Sequence, residues 1–263
     1  MPLPAGAELA QAGLRLELGA PVPGAATITL SRPERRNAMT PGMWRGLAAI
    51  GRFLPPAVRL VVVRGDGPVF CAGIDLRLLA GEPVLGEQPI PGPADPGFED
   101  WIASCQEGFG WLHDPSLVSV AAVQGHAIGA GFQLALACDL RVLTDDARLS
   151  MREPTLGLVP DLLGTKPLVD IAGLPRALEL CLTGRSVAAA EAQALRLAEL
   201  VVPVAELDAA VSDLVAAILA LDPATARATK ALLAEAPGHT PQQQAAAERR
   251  TQAALQRGRL TGG

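Results

Sequence analysis

The sequence has no surplus of positive charge and no long hydrophobic run. Its 263 residues include 22 Lys and Arg against 27 Asp and Glu, a formal net charge of −5. This balance argues against a general nucleic-acid binder, because no basic surplus exists to neutralise phosphates. No stretch approaches the ~20 uninterrupted apolar residues that cross a bilayer, and no signal peptide is evident at the N-terminus. We expect a soluble, cytoplasmic protein without nucleic-acid or membrane partners.

Cysteine pairs and histidine clusters are missing as well. The four cysteines form no CxxC pair, which favours reduced, buried thiols over a disulfide framework. His113 and His239 lack the further ligands of a metal-binding motif in the sequence, so we predict no metal site. The chain also has no GxSxG motif, which argues against a serine hydrolase.

Strand and helix patterns alternate over the first two thirds of the chain. Residues 14–18 alternate with period two, and residues 58–65 and 117–124 are apolar runs of the kind buried on both faces of a parallel sheet. Helical spacing appears at 43–54 and 98–114. This order predicts an α/β fold with right-handed crossovers.

Helical patterns alone follow from about residue 175. Ala and Leu dominate there, and the stretch 187–202 is predicted to be a helix. We predict an α/β core over residues 1–200 and a C-terminal helical region over 201–263, packed on the core or on a neighbouring subunit. The hydrophobic content of 49% is slightly on the apolar side and favours an oligomer interface.

Two turns rich in small residues follow buried strands. GPVFCAGIDL (67–76) comes after the strand at 58–65, and GHAIGAGFQLA (125–135) comes after the strand at 117–124. Small residues let main-chain N–H groups approach a ligand closely. The helix that begins near Ala130 adds unpaired N–H groups and a partial positive charge. Two such N–H groups on one oxygen form an oxyanion hole, worth about 3–4 kcal/mol per donor.

A segment rich in Pro and Gly, residues 83–98, follows the first turn. Its composition predicts a surface segment. Its position leaves two interpretations open, a lid over a site or an inert insertion.

These motifs together resemble the crotonase superfamily, also called the enoyl-CoA hydratase/isomerase family. The resemblance rests on SRPERRNAM, FCAGIDL, QGHAIGAGFQLALACDLRV, REPTLGLVPDLLGT and ALELCLTGR. It runs from about Leu14 to Val202, and the order and spacing of the motifs make it specific. It implies a crotonase-like core of repeated ββα units in a spiral, usually a homotrimer or a dimer of trimers. It also implies an acyl-CoA substrate and no cofactor beyond the coenzyme A of that substrate.

The resemblance assigns roles to several residues. The thioester oxygen is expected to accept bonds from the main-chain N–H groups of Ile74 and Ala130, where Ala replaces the usual Gly. Further substrate contacts are expected at Ala72, Gly73, Asp75, Gly129 and Gln133, and contacts with the CoA phosphates at Arg35, Arg36 and Lys230. Taken alone, Asp75 fixes a turn or pairs with arginines, and Lys230 is a solvated helix residue.

The catalytic residues depart from the family pattern at one position. Family hydratases carry two glutamates, and the first is Gln133 here while the second is Glu153. Because Gln cannot act as a general base, the pattern favours a double-bond shift by one base over concerted hydration. Asp161 matches a carboxylate of dienoyl-CoA isomerases and dehalogenases in the family, and we expect it to assist Glu153. A carboxyl in an apolar acyl pocket should have a raised pKa.

Alternatives stay open for the residues and for the function. Gln133 is otherwise a core amide bonded to a backbone carbonyl, Glu153 a loop acid, and Asp161 the N-cap of the segment that follows it. Besides an isomerase, the sequence allows a hydratase that uses Glu153 and Asp161, or a non-catalytic acyl-CoA-binding protein on the same fold. A dinucleotide-binding unit is disfavoured, because Leu134 stands where the third glycine belongs.

Overall fold

The structure is a computed structural model that describes residues 4–82, 84, 87 and 90–261. The strands are β1 (Leu14–Leu18), β2 (Ala25–Leu30), β3 (Leu60–Gly65), β4 (Val118–Val123), β5 (His126–Ile128), β6 (Leu140–Thr144), β7 (Arg148–Ser150), β8 (Val187–Ala188) and β9 (Leu200–Val202). The helices are α1 (Gly6–Gln11), α2 (Pro41–Phe53), α3 (Leu76–Leu79), α4 (Phe98–Gly110), α5 (Ala130–Ala137), α6 (Thr165–Ala172), α7 (Leu174–Thr183), α8 (Ala189–Ala194), α9 (Leu207–Leu219), α10 (Pro223–Glu235) and α11 (Pro241–Thr261).

Six strands form a sheet in the order β1-β2-β3-β4-β6-β9. β1 runs antiparallel to β2, and the other neighbours are parallel. The central strands β3 and β4 are almost wholly buried because Val, Ala and Leu fill them. Parallel strands end at the same edge of a sheet, so the turns that follow β3 and β4 lie side by side.

Three short strands form a second sheet in the order β5-β7-β8. β5 lies between β4 and α5 in the chain, and β7 lies between β6 and α6. A strand of the large sheet, a strand of the small sheet and a helix therefore recur along the chain. This arrangement confirms the predicted α/β fold of crotonase type.

The prediction of a helix over 187–202 was wrong. Only α8 is helical there; the residues before it form β8, and β9 follows. β9 pairs in parallel with β6, with Val142 opposite Leu200, because β6 would otherwise leave an open edge. Arg141 also donates to Glu199 at 2.8 Å, which fixes this pairing. β9 thus crosses the predicted domain boundary at residue 200.

The C-terminal region packs on its own core through α9. Leu207, Val211 and Val215 of α9 cover one face of the large sheet, while α2, α4 and α5 share the apolar cluster on its other face. All four cysteines are free; Cys71, Cys105 and Cys138 are buried, whereas Cys181 is half-buried. Among the described residues, no helix combines the length and apolar character needed to cross a membrane.

Candidate active site

A cavity of about 260 Å³ lies where the turns after β3 and β4 meet. One side of its wall is aromatic: the rings of Trp44 and Trp101 meet edge to face at 6.2 Å, and Phe98 stacks on Trp101 at 5.9 Å. The rest of the wall is mainly aliphatic. Its charged residues are Arg152, Glu153 and Asp161. The cavity therefore suits an apolar group with a reactive centre near two carboxyl groups.

The two turns are joined by main-chain hydrogen bonds. Cys71 N–H donates to the His126 carbonyl at 2.9 Å, and Ile128 N–H donates to the Cys71 carbonyl at 3.0 Å. A Cβ placed on Gly73 would lie 3.9 Å from the Ala130 nitrogen. The end of the first turn therefore lies against the start of α5.

Ile74 and Ala130 have main-chain N–H groups without an acceptor among the described residues. Met39 bonds to Gly73 and Asp75 and so leaves Ile74 N–H between them unpaired. Ala130 opens α5, where an N–H group has no helical partner. Its backbone is right-handed, so Ala in place of Gly causes no strain. Both residues line the cavity.

Replacing Gly73 by Ala is expected to separate the two turns. Gly73 has a φ of +93°, and a Cβ there would lie 2.8 Å from the Ile128 carbonyl oxygen, so both the backbone and the contact oppose a side chain. We expect a loss of about 1–3 kcal/mol in the free energy of unfolding, measured by urea titration, together with lower activity. The same substitution at exposed Gly97, where φ is −102°, is the control. Wild-type stability in Gly73→Ala would contradict this account of the turn.

Asp75 braces the first turn. Its carboxylate accepts bonds from Arg77 Nε at 2.9 Å and Arg32 Nη2 at 3.2 Å, and it caps α3. The bonds from Arg77, and next those from Arg32, lower the pKa of Asp75 to about 2. The expected pairing with arginines is confirmed. Of the predicted substrate contacts, Ala72, Gly73 and Gly129 line the cavity, whereas Asp75 and Gln133 are buried outside it.

Glu153 presents one unpartnered oxygen at the cavity. Glu153 is the first residue of a 3-10 turn after β7, and its side chain is buried. Oε1 accepts a bond from Gln133 Nε2 at 2.6 Å, while Oε2 has no partner among the described residues. A Cβ on Gly129 would lie 3.1 Å from Oε1, which places the carboxyl beside the residue preceding Ala130. Burial raises the pKa of Glu153, the bond from Gln133 opposes this, and the charge of Asp161 adds to it.

Gln133 is fully buried within α5. Its Oε1 accepts bonds from Leu162 N–H at 2.8 Å and Gly164 N–H at 3.2 Å, and its Nε2 donates to Glu153. The alternative of a buried core amide bonded to the backbone is thus confirmed, but its backbone partners are N–H groups and not a carbonyl. The amide joins the predicted base to the segment that follows Asp161.

Asp161 lines the same cavity as Glu153. The alternative that it caps the next helix was wrong, because α6 begins at Thr165 with Gly164 as its N-cap. Burial raises the pKa of Asp161. Its main-chain carbonyl accepts a bond from Gln106 at 2.7 Å, which fixes the segment. The predicted pair of carboxyl groups is therefore present in one cavity.

Asp161→Asn is expected to stabilise the folded protein at neutral pH. Because burial raises the folded-state pKa of Asp161, the unfolded chain releases this proton first as the pH rises above about 3.8. The stability of the wild-type protein therefore falls as the pH rises above about 3.8, and a neutral Asn side chain avoids this loss of stability. Thermal unfolding should place the variant a few degrees above wild type at pH 7–8, with the difference shrinking toward pH 3.8. Equal melting temperatures at pH 7–8 would contradict the burial of this carboxyl.

The three predicted phosphate contacts differ in their surroundings. Arg35 and Arg36 are exposed, and the Arg36 carbonyl accepts a bond from Ala72 N–H of the first turn. Lys230 lies elsewhere: its ammonium donates to the carbonyls of Asp114 and Leu117 and to the Asp139 carboxylate. Its three donors are thus used within the chain, so the alternative of a solvated residue was wrong, while the contact with the CoA phosphates stays a prediction.

The predicted surface segment, residues 83–98, is described only in part, since 83, 85, 86, 88 and 89 lie outside the described residues. Ile90 and Phe98 line the cavity. The buried Glu87 carboxylate accepts bonds from Gly42 N–H at 2.9 and 3.1 Å, which ties the segment to the start of α2. The segment thus contributes to the cavity wall.

Sequence reasoning missed two parts of the site. Arg152 lines the cavity next to Glu153, and its place within the motif REPTLG was the available signal. The aromatic wall was missed although Trp101, Ile102 and Cys105 fall on one face of α4 by helical spacing. That spacing indicates a buried face but not what it faces.

Comparison with known proteins places the chain in a family. The family model for enoyl-CoA hydratase/isomerase matches residues 23–259. A Thermus thermophilus protein described as an enoyl-CoA hydratase is 36% identical over 215 residues, which are 81% of each chain. A crystal structure described as an enoyl-CoA hydratase from Thermobifida fusca YX in complex with CoA is 55% identical, covers 99% of both chains and has a TM-score of 0.94.

A second Thermobifida fusca YX structure described in the same words, in complex with acetoacetyl-CoA, is 55% identical. It covers 96% of this chain and 98% of that chain, with a TM-score of 0.92. The fold and the cavity define an acyl-CoA enzyme with the crotonase fold. The chain belongs to the enoyl-CoA hydratase/isomerase family, as its motifs predicted.

Proposed function

We propose that the protein moves the double bond of an enoyl-CoA by way of a thioester enolate. The observation that carries this proposal is the carboxyl of Glu153, which is buried, bonded to Gln133 through one oxygen and unpartnered at the other. It lies beside the N-terminus of α5, where a negative charge on the substrate is stabilised. A base next to an oxyanion site is the arrangement that enolate formation needs.

The reaction starts from a 3-enoyl thioester held in the cavity. Its carbonyl oxygen accepts bonds from Ile74 and Ala130 N–H, and the Glu153 carboxylate takes a proton from C2. The electron pair of that C–H bond forms the C1–C2 double bond, and the carbonyl oxygen gains the negative charge. Protonated Glu153 then gives the proton to C4, which bonds it with the electron pair of the C3–C4 double bond. The C1–C2 pair moves to C2–C3, and the charge on oxygen returns to re-form the carbonyl.

Isomerisation fits the site better than hydration because it needs one base and no bound water. Gln133 has its oxygen bonded to two N–H groups and its nitrogen to Glu153, so this amide takes no proton from water. Asp161 supports a second candidate, because it lines the same cavity. A hydratase would use Glu153 and Asp161 together on one water molecule.

The purified protein can be given a 3-enoyl-CoA and, separately, a 2-enoyl-CoA. Formation of the conjugated 2-enoyl-CoA from the first substrate, without water addition to the second, is the expected result. Rapid hydration of the 2-enoyl-CoA would favour the hydratase instead. Binding of both thioesters with turnover of neither would favour a non-catalytic acyl-CoA-binding protein.

Further parts of the proposal concern the rest of the ligand and the assembly. We propose that the exposed Arg35 and Arg36 receive the CoA phosphates; the bond between Ala72 N–H of the first turn and the Arg36 carbonyl supports this. Exposed leucines on α7 support a homotrimer or a dimer of trimers; they are Leu174, Leu178 and Leu182. The four free cysteines support a reducing, cytoplasmic setting.

A further inference from the structure

Gln133 occupies the position of a family glutamate, but its side chain bonds to other residues of the site and holds them in position. We call this set of hydrogen bonds, to Glu153, Leu162 and Gly164, the brace. The side chain of Gln133 is fully buried and lies outside the cavity. Every hydrogen bond described for it is to another part of the site: Glu153 on one side and the main chain of Leu162 and Gly164 on the other. Its surroundings are thus suited to holding neighbours in place and not to contacting substrate.

The amide of Gln133 has a single orientation. Its oxygen can only accept and its nitrogen can only donate. The N–H groups of Leu162 and Gly164 lie 2.8 and 3.2 Å from the oxygen, so a flipped amide would set donors against donors. The nitrogen therefore faces Glu153 Oε1, at 2.6 Å.

A carboxyl oxygen that accepts this bond is not the one that carries the proton. We propose that Gln133 is a positioning residue that confines the exchangeable proton of Glu153 to Oε2, the oxygen without a partner. The proposal rests on the proposed role of Glu153 as the base. On this proposal, Gln133 does more than exclude hydration by two glutamates. It also determines that Oε2 is the oxygen of Glu153 that exchanges the proton.

Gly164 makes this brace possible by its lack of a side chain. A Cβ on Gly164 would lie 2.6 Å from Gln133 Cγ and 3.0 Å from its Oε1. The φ of Gly164 is −78°, which any residue adopts. Gly164→Ala therefore loosens the brace by contact alone, and leaves Gln133 and the charge of the site unchanged.

The test is the pKa of the Glu153 carboxyl, followed by carbon-13 NMR in protein labelled at glutamate Cδ. The signal is assigned by its loss in Glu153→Gln. Gln133→Glu keeps the acceptor oxygen and, when ionised, has no donor, so it is expected to raise the pKa of Glu153 by about 1 or more. Gln133→Met and Gly164→Ala should raise it in the same direction. Gln193→Glu, which adds the same charge at an exposed position, should not change it.

A Glu153 pKa unchanged in Gln133→Glu, or unchanged in Gln133→Met and Gly164→Ala if the first variant does not fold, would overturn the proposal. So would a gain of hydratase activity in Gln133→Glu at an unaltered Glu153 pKa. The titration needs no turnover, so it separates the two proposals. If the Glu153 pKa rises in the variants but the wild-type protein does not isomerise a 3-enoyl-CoA, the proposed function alone is refuted. If the wild-type protein isomerises but the Glu153 pKa is the same in the variants, the positioning role alone is refuted.

Discussion

Glu153→Gln is expected to slow solvent deuterium exchange at the α-carbon of a bound saturated acyl-CoA by about 10²–10⁴-fold. The α-proton leaves only when a base accepts it while the thioester oxygen takes up the charge. An amide cannot accept that proton. Mass spectrometry of the recovered acyl-CoA measures the exchange directly, without requiring a known natural substrate.

This substitution should leave the fold intact. Gln133 Nε2 can still donate to the oxygen of the new amide, as it does to Glu153. The matched control is Glu99→Gln, which makes the same change at an exposed position and should exchange at the wild-type rate. Exchange that persists in Glu153→Gln would remove Glu153 from the mechanism.

Ala130→Pro is expected to reduce the same exchange by about 10²–10³-fold. Proline has no N–H group, so one of the two proposed donors to the thioester oxygen is lost, and the ring intrudes on the proposed position of that oxygen. The helix tolerates the change, because Ala130 is its first residue and its N–H group has no helical partner. Gly129 before it, at φ 51° and ψ −120°, adopts a mirror-image extended conformation that glycine allows.

Ala130→Gly is the matched control, since it keeps the N–H group and loses only a methyl group. It should exchange close to the wild-type rate, while the melting temperature of Ala130→Pro should stay within a few degrees of wild type. Wild-type exchange in a folded Ala130→Pro protein would show that the carbonyl oxygen lies away from α5.

The sequence predicts those elements whose pattern is local. The period-two alternation of 14–18 matches β1 residue for residue, and the helix predicted from Met43 begins at Pro41. β5 and β7 were not predicted, because three residues are too few for a periodic signal. They form only by pairing, with His126 opposite Arg148, and that pairing depends on the turn between β4 and α5.

The site likewise has features that local sequence patterns predict and features that only tertiary packing determines. The motifs place Ile74 and Ala130 in turns and Glu153 and Asp161 in one segment, and the structure brings all four to one cavity. The contacts of Gln133 could not be read from the chain. They join α5 to Glu153 and to residues 162 and 164, and only the tertiary packing determines which atoms meet across such separations.

The attachment of α10 has a consequence for how the molecule comes apart. α10 has no buried side chain. Its Lys230 ammonium binds three oxygens of the core, and Arg59 donates to the carbonyls of Leu219 and Leu221 just before it. Such polar contacts resist opening less than apolar burial does. We therefore expect the last two helices to open before the sheet does, which would leave the cavity assembled while they detach.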